Sequence, residues 1–165
     1  ACREMVCRLK RLKPLDFVQG IGYTGCMRQQ GHTPGLPVKQ VIVIRADLKL
    51  RRGKECAQVA HAASMWLREY ALEANTSSDR GYPPAALKQV QLAWLVGNYR
   101  KIVVKATTEK QLRDLHYEAE RRGLTAYLVT DDGLTEVQSG TITALAIGPH
   151  SEDAFVGLTD HLVLY

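Results

Sequence analysis

From residue 40 onward, apolar positions fall in short runs separated by polar turns, and the spacing within each run tells strand from helix. QVIVIRA, residues 40–46, is a β-branched apolar run of strand length, and its lack of polar alternation predicts burial on both faces. A helical period then runs from Gly53 to about Ala74, where NTSSDRGYPP stops it. AALKQVQLAWLVGN (85–98) predicts a second helix, and KIVVKA (101–106) a second strand. TTEKQLRDLHYEAERRG opens with a threonine at capping distance from an acid or amide and stops at Gly123. That predicts a third helix with Leu112, Leu115 and Ala119 turned inward. LTAYLVT (124–130) and TITALAIGP (141–149) read as the third and fourth strands, followed by a short helix near Ser151 to Leu158 and a closing HLVLY.

Strands alternating with helices imply right-handed βαβ crossovers and a largely parallel sheet covered on both faces. The link DDGLTEVQSG is too short for a helix, so the third and fourth strands should be antiparallel. The expected class is α/β: a three-layer α/β/α sandwich around a four-stranded mixed sheet, three strands parallel and one antiparallel. Function in such a sheet collects where loops leave the strand ends. Here those loops are DLKLRRGK, after the first strand, and TDDGLTE, after the third.

Residues 1–38 have no such order and read as an irregular basic N-terminal extension, leaving 39–165 as the folded domain. Glycines and prolines break every period there, and the start at Ala1 reads as a processed or trimmed one. Its arginines suit the remnant of a transit peptide, with Glu4 and Asp16 counting against that. GIGYTG (20–25) matches a dinucleotide fingerprint literally, yet Gly31, Pro34, Gly35 and Pro37 break the helix that fingerprint needs. Cys2, Cys7, Cys26 and His32 have a zinc ligand set's residue types without its spacing, so no metal is expected. With four cysteines and no paired spacing, a reducing compartment is the simpler assumption. No apolar run reaches eighteen residues, so no segment should span a membrane.

Charge sharpens this division. Of the net +5 of this 165-residue chain, all sits in residues 1–40, which hold seven basic against two acidic side chains. The rest is balanced, but Arg45, Lys49, Arg51, Arg52 and Lys54 fall within ten residues, opposed only by Asp47. Such a cluster suits either phosphates or plain solvent. Just after it, Lys54, Gln58 and His61 stand four and three residues apart, which puts them on one helix face. The alanines around them should let the helix lie close to what packs behind, and Cys56 among them reads as a packing residue. Two readings stay open for His61, a buried histidine satisfied by one hydrogen bond or a catalytic base. Asp131 either begins the turn before Gly133 or works in the chemistry.

RADLKLRRGKECAQVAHAA, TDDGLTE, TITALAIGP and DHLVLY, in that order over residues 39–165, resemble the peptidyl-tRNA hydrolase 2 family. The family pattern D-L-K-M-G-K-G-K-x-x-x-Q-x-x-H-A is met by Asp47, Leu48, Lys49, Arg52, Gly53, Lys54, Gln58, His61 and Ala62. A later D-x-G-x-T is met by Asp131, Gly133 and Thr135, and a strand threonine by Thr143.

The resemblance implies an esterase that cuts the bond between a peptide and the terminal ribose of tRNA, recycling the tRNA without metal or organic cofactor. It implies Lys54, Gln58, His61, Asp131, Thr135 and Thr143 as catalytic residues. Asp131 would orient and deprotonate water. Lys54, Thr135, Thr143 or a backbone N–H at the helix start would stabilise the carbonyl oxyanion. Lys49, Arg51 and Arg52 would hold tRNA phosphates. Peptidyl-tRNA is the implied partner, relatives often pair as homodimers, and a cytoplasmic or mitochondrial setting is implied.

Four departures modify the expectation. Arg51 and Arg52 replace a Gly-Lys preference; Asp132 and Glu136 replace small or amide side chains, which should weaken phosphate attraction and raise the pKa of Asp131. Ser139 replaces a proline, and Asn75 to Arg100 is longer than usual. The rival readings are a non-catalytic RNA- or protein-binding adaptor on the same fold and an esterase for another acylated RNA end.

Overall fold

The β-branched run does form the central strand. In the computed structural model, which describes residues 37–79 and 87–165, with the side chains of 76–79 left aside, β1 spans Val38–Arg45. A 3₁₀ turn (Ala46–Leu48) leads to α1, Arg52–Asp79. Then come α2 (Gln89–Val96), β2 (Lys101–Ala106), α3 (Glu109–Arg121), β3 (Ala126–Asp131) and β4 (Thr141–Ser151). A 3₁₀ turn, Glu152–Phe155, replaces the expected short helix after β4. Residues 1–36 of the N-terminal extension, with its cysteines, His32 and the GIGYTG run, lie outside the described residues, whereas Val38, expected to belong to the extension, already forms part of β1.

The fold is α/β with a four-stranded mixed sheet in the order β2-β1-β4-β3. Only β1 and β2 pair in parallel, whereas β4 runs antiparallel to both β1 and β3. The alternation of strands and helices predicts a largely parallel sheet. In the structure two of the three strand pairings are antiparallel, because β4 inserts between β1 and β3, a pairing decided about a hundred residues from β1 that no local pattern encodes.

The core divides by strand alternation. Ile42, Val129, Ala144 and Ala146 face α1, where Ala62 is buried and Val59, Ala63 and Met65 pack against them. The small side chains of β4 let α1 approach. On the opposite face, Val41, Val43, Leu145 and Ile147 meet Leu112, Leu115 and Ala119 of α3, the three positions expected to turn inward. Thr108 caps α3 by accepting from the Gln111 N–H at 3.1 Å. Each fully buried Ile or Leu here contributes about 1.5–3 kcal/mol of transfer free energy. Trp66 and Trp94 meet edge to face at 5.9 Å between ring centroids and, with Val38, form a third cluster.

The helix edges differ from expectation in both directions: α1 runs on to Asp79, and α2 contracts to Gln89–Val96. The closing HLVLY adds to the outer edge of β2, where Leu164 bridges Val104 and Tyr165 N–H donates to the Val103 carbonyl at 3.1 Å. Among the described residues no helix is long and apolar enough to cross a membrane.

Candidate active site

The site begins where β1 ends. Arg45 reaches three elements at once: its guanidinium donates to Asp47 at 2.7 Å, to Glu109 at 3.1 Å and to the Ile142 carbonyl at 3.0 Å. That fixes the turn leaving the sheet. Lys49 turns the chain through the left-handed region (φ 48°), Leu50 buries itself, and α1 starts at Arg52. Lys49, Arg51 and Arg52 are all exposed, so the basic loop presents its charges to solvent just ahead of the first turn of α1.

One and two turns into α1, Lys54 and Gln58 meet the last residue of β3. The Lys54 ammonium ion-pairs with Asp131 Oδ2. Gln58 Nε2 donates to the same oxygen at 2.7 Å, and Gly133 N–H donates to Oδ1 at 2.8 Å. Behind Gln58, the Thr143 hydroxyl donates to its Oε1 at 2.6 Å. Asp131, an acceptor on both oxygens when ionised, is thus surrounded only by donors. Gln58 is 3% exposed, Asp131 6% and Thr143 0%, so the network is screened little by water.

The carboxyl of Asp131 responds to these neighbours. It is held below its usual range, first by the hydrogen-bonded Lys54 ammonium, then by the Gly133 N–H, against the opposing effect of burial. The expected rise from Asp132 and Glu136 does not occur: the net shift is downward, set first by the cation in direct contact. Glu136 is instead engaged elsewhere, its Oε2 accepting from the Arg51 N–H at 2.8 Å.

These side chains form one wall of a cleft of about 270 Å³, lined by Lys54, Ala57, Gln58, His61, Asp131 and, on the facing loop, Leu134 and Thr135 among others. A positive donor and an oriented amide on the wall of such a cleft suit a carbonyl oxygen gaining charge. A family model described as peptidyl-tRNA hydrolase PTH2 matches residues 38–165, a span that contains every residue lining this cleft.

The chain belongs to the peptidyl-tRNA hydrolase PTH2 family.

Individual curated proteins are similar over about three quarters of the chain. The peptidyl-tRNA hydrolase of Methanopyrus kandleri is 42% identical over 127 residues, covering 76% of this chain and 97% of its own. The probable peptidyl-tRNA hydrolase 2 of Dictyostelium discoideum is 39% identical over 127 residues, covering 77% of this chain and 54% of its own. The peptidyl-tRNA hydrolase 2, mitochondrial, of Mus musculus is 36% identical over 127 residues, covering 77% and 63% respectively.

Within this member of the PTH2 family, five of the six residues expected to act line the cleft: Lys54, Gln58, His61, Asp131 and Thr135. Thr143 does not. It lies wholly buried behind Gln58, where it can orient the amide but not meet an oxyanion. His61 is exposed on the cleft wall, which removes the buried-histidine reading. Ala57 and Ala60 are exposed too, so only Ala62 and Ala63 provide the close packing expected of the alanines. Cys56 is a free exposed thiol, not a packing residue, because it falls on the solvent side of α1. Leu134 and the tie between Glu136 and Arg51 carry no signal in the sequence, since an acid in a hairpin looks the same whether solvated or bonded.

Proposed function

We propose that this chain hydrolyses peptidyl-tRNA in the cleft between the first turns of α1 and the β3–β4 loop, cutting the ester that joins the peptide to the terminal ribose and freeing the tRNA for reuse. One observation carries the reading: Lys54 and Gln58 are both held on a single Asp131 oxygen at the cleft wall. That arrangement fixes a cation and an amide donor beside the space an ester carbonyl would fill.

Geometry divides the roles. Lys54, with ammonium hydrogens left over after Asp131, stabilises the oxyanion as water adds to the carbonyl. Gln58 spends one Nε2 hydrogen on Asp131 and keeps the second for substrate. Asp131, its basicity reduced by Lys54, serves as the anchor of both donors and as an acceptor that orients water, rather than as the group that removes the proton. His61, exposed on the same wall, is the side chain suited to receive that proton. Thr135 offers its hydroxyl at the rim to the ribose. Lys49, Arg51 and Arg52, at the mouth, hold phosphates.

The finer architecture supports the placement. β1 and β3 are each antiparallel to β4, so both run in the sense of β2, and α1 and α3 cover opposite faces as in a three-layer sandwich. The ends of β1 and β3 then open at one rim of a domain spanning residues 39–165.

Release of tRNA from an N-blocked aminoacyl-tRNA by the purified chain tests this, beside Lys54→Ala and Asp131→Asn. Loss of turnover by about 100-fold or more in both is the expected result. A parent chain that binds tRNA without releasing it would favour an adaptor instead.

A further inference from the structure

The loop that roofs the cleft hangs between two carboxylates, both tied to the start of α1. At its base, Asp131 is bound to Lys54 and Gln58. At its tip, Glu136 Oε2 accepts the backbone N–H of Arg51, the residue before α1 begins, at 2.8 Å. Between these anchors lie only residues 132–135, and three of them, Asp132, Leu134 and Thr135, line the cleft. The loop is also narrow: a Cβ on Gly133 would stand 2.2 Å from Ser139 N. With its base pinned and its two sides touching, its remaining freedom is to swing its tip toward or away from α1.

We propose that Glu136 is a positioning residue for the hydrolysis, a tie across the cleft mouth that holds Thr135 and Leu134 at working distance from Lys54. The proposal rests on the peptidyl-tRNA reading for its substrate, not for its geometry. Glu136 touches no reacting atom. It acts through the loop, and the part that matters is an acceptor oxygen, not a charge. A backbone N–H is a donor that no side-chain exchange at position 51 removes, so the tie depends on position 136 alone, barring proline. The competing account is electrostatic: an acid beside Arg51 and Arg52 merely repels tRNA phosphates. The two accounts differ in what a glutamine would do, since glutamine keeps the acceptor and discards the charge.

The experiment compares the full chain with Glu136→Gln and Glu136→Ala. Kinetics on an N-blocked aminoacyl-tRNA should show kcat within about twofold of the parent for Gln and about tenfold lower for Ala, with KM nearly unchanged in Ala, because loss of positioning falls on the chemical step. Amide hydrogen exchange of Arg51, measured without substrate, should accelerate several-fold in Ala and stay near the parent rate in Gln. Equal kcat in all three chains, or an equal fall in both variants, overturns the proposal, as does an Arg51 exchange rate indifferent to Glu136→Ala. If the parent shows no turnover, the substrate reading fails, and the exchange rates alone still decide whether the tie exists.

Discussion

Thr143 Oγ1 lies 2.6 Å from Gln58 Oε1, and this contact decides which end of the Gln58 amide faces the cleft. With Oε1 taken by the buried hydroxyl, Nε2 must turn to Asp131. A flipped amide would set oxygen against carboxylate and leave the threonine without an acceptor on Gln58.

Thr143→Val should therefore damage function more than its distance from the cleft suggests. The buried Oε1 loses its donor at about 1–3 kcal/mol, read by urea unfolding, and kcat falls about tenfold as the amide loses its orientation. Thr143→Ser, keeping the hydroxyl, should recover most of the rate. An unchanged kcat in the valine variant would show that Gln58 orients itself.

The pH dependence has a definite sign. Asp131 has a folded-state pKa below its usual 3.8, so at acid pH the unfolded chain binds the proton first and stability rises with pH. This contribution is complete above the unfolded value of about 3.9 and is lost as pH falls through the folded one. Between pH 5 and 9 it adds no slope, and no activity limb there should belong to Asp131. Asp131→Asn should cost roughly 1–3 kcal/mol at neutral pH, and the gap to the parent should begin to narrow as pH falls below about 4, checked by denaturant titrations across that range. A gap that stays constant down to pH 2 would contradict the depressed pKa.

Gly133→Ala tests the turn that supplies Asp131 with its backbone donor. The residue has φ +78°, and an added Cβ would meet Ser139 N at 2.2 Å and Ser139 Cα at 2.6 Å, both backbone atoms. The loop must shift, so we expect a loss of about 1–3 kcal/mol in Tm-derived stability together with a fall in kcat. Parent-like kinetics would mean that the loop can move without carrying Asp131 with it.

Binding should separate from chemistry at the basic loop. Lys49→Ala and Arg52→Ala should each weaken tRNA binding and lower the slope of log affinity against log salt by about 1, with kcat at saturation retained. A variant that changes affinity with no change in slope would place that side chain away from phosphate.

Local signals make much of this legible. The unalternating run at 40–46 announces a strand buried on both faces, and Thr108 with its inward Leu112, Leu115 and Ala119 announces α3. The steps of four and three on α1 put Lys54, Gln58 and His61 on one cleft wall. What escapes is set at long range. The place of β4 beside β1 depends on pairing between residues 38–44 and 144–151, and the burial of Thr143 comes from that register rather than from its neighbours in sequence. Cys56 misleads because small residues surround it on both the packed and the open side of α1. Asp132 and Glu136 mislead because charge counted along the chain ignores that Lys54 touches Asp131 while Glu136 is spent on Arg51.

The length of α1 has an evolutionary reading. Lys54 sits in its first turn, and Asn75, near its far end, lies 21 residues further on. At 1.5 Å per residue that is about 30 Å of stiff rod. Val59, Ala62 and Ala63 clamp the rod to the sheet between the two. Insertions at the far end are therefore mechanically silent at the near one, and a lineage can lengthen this crossover without retuning the chemistry.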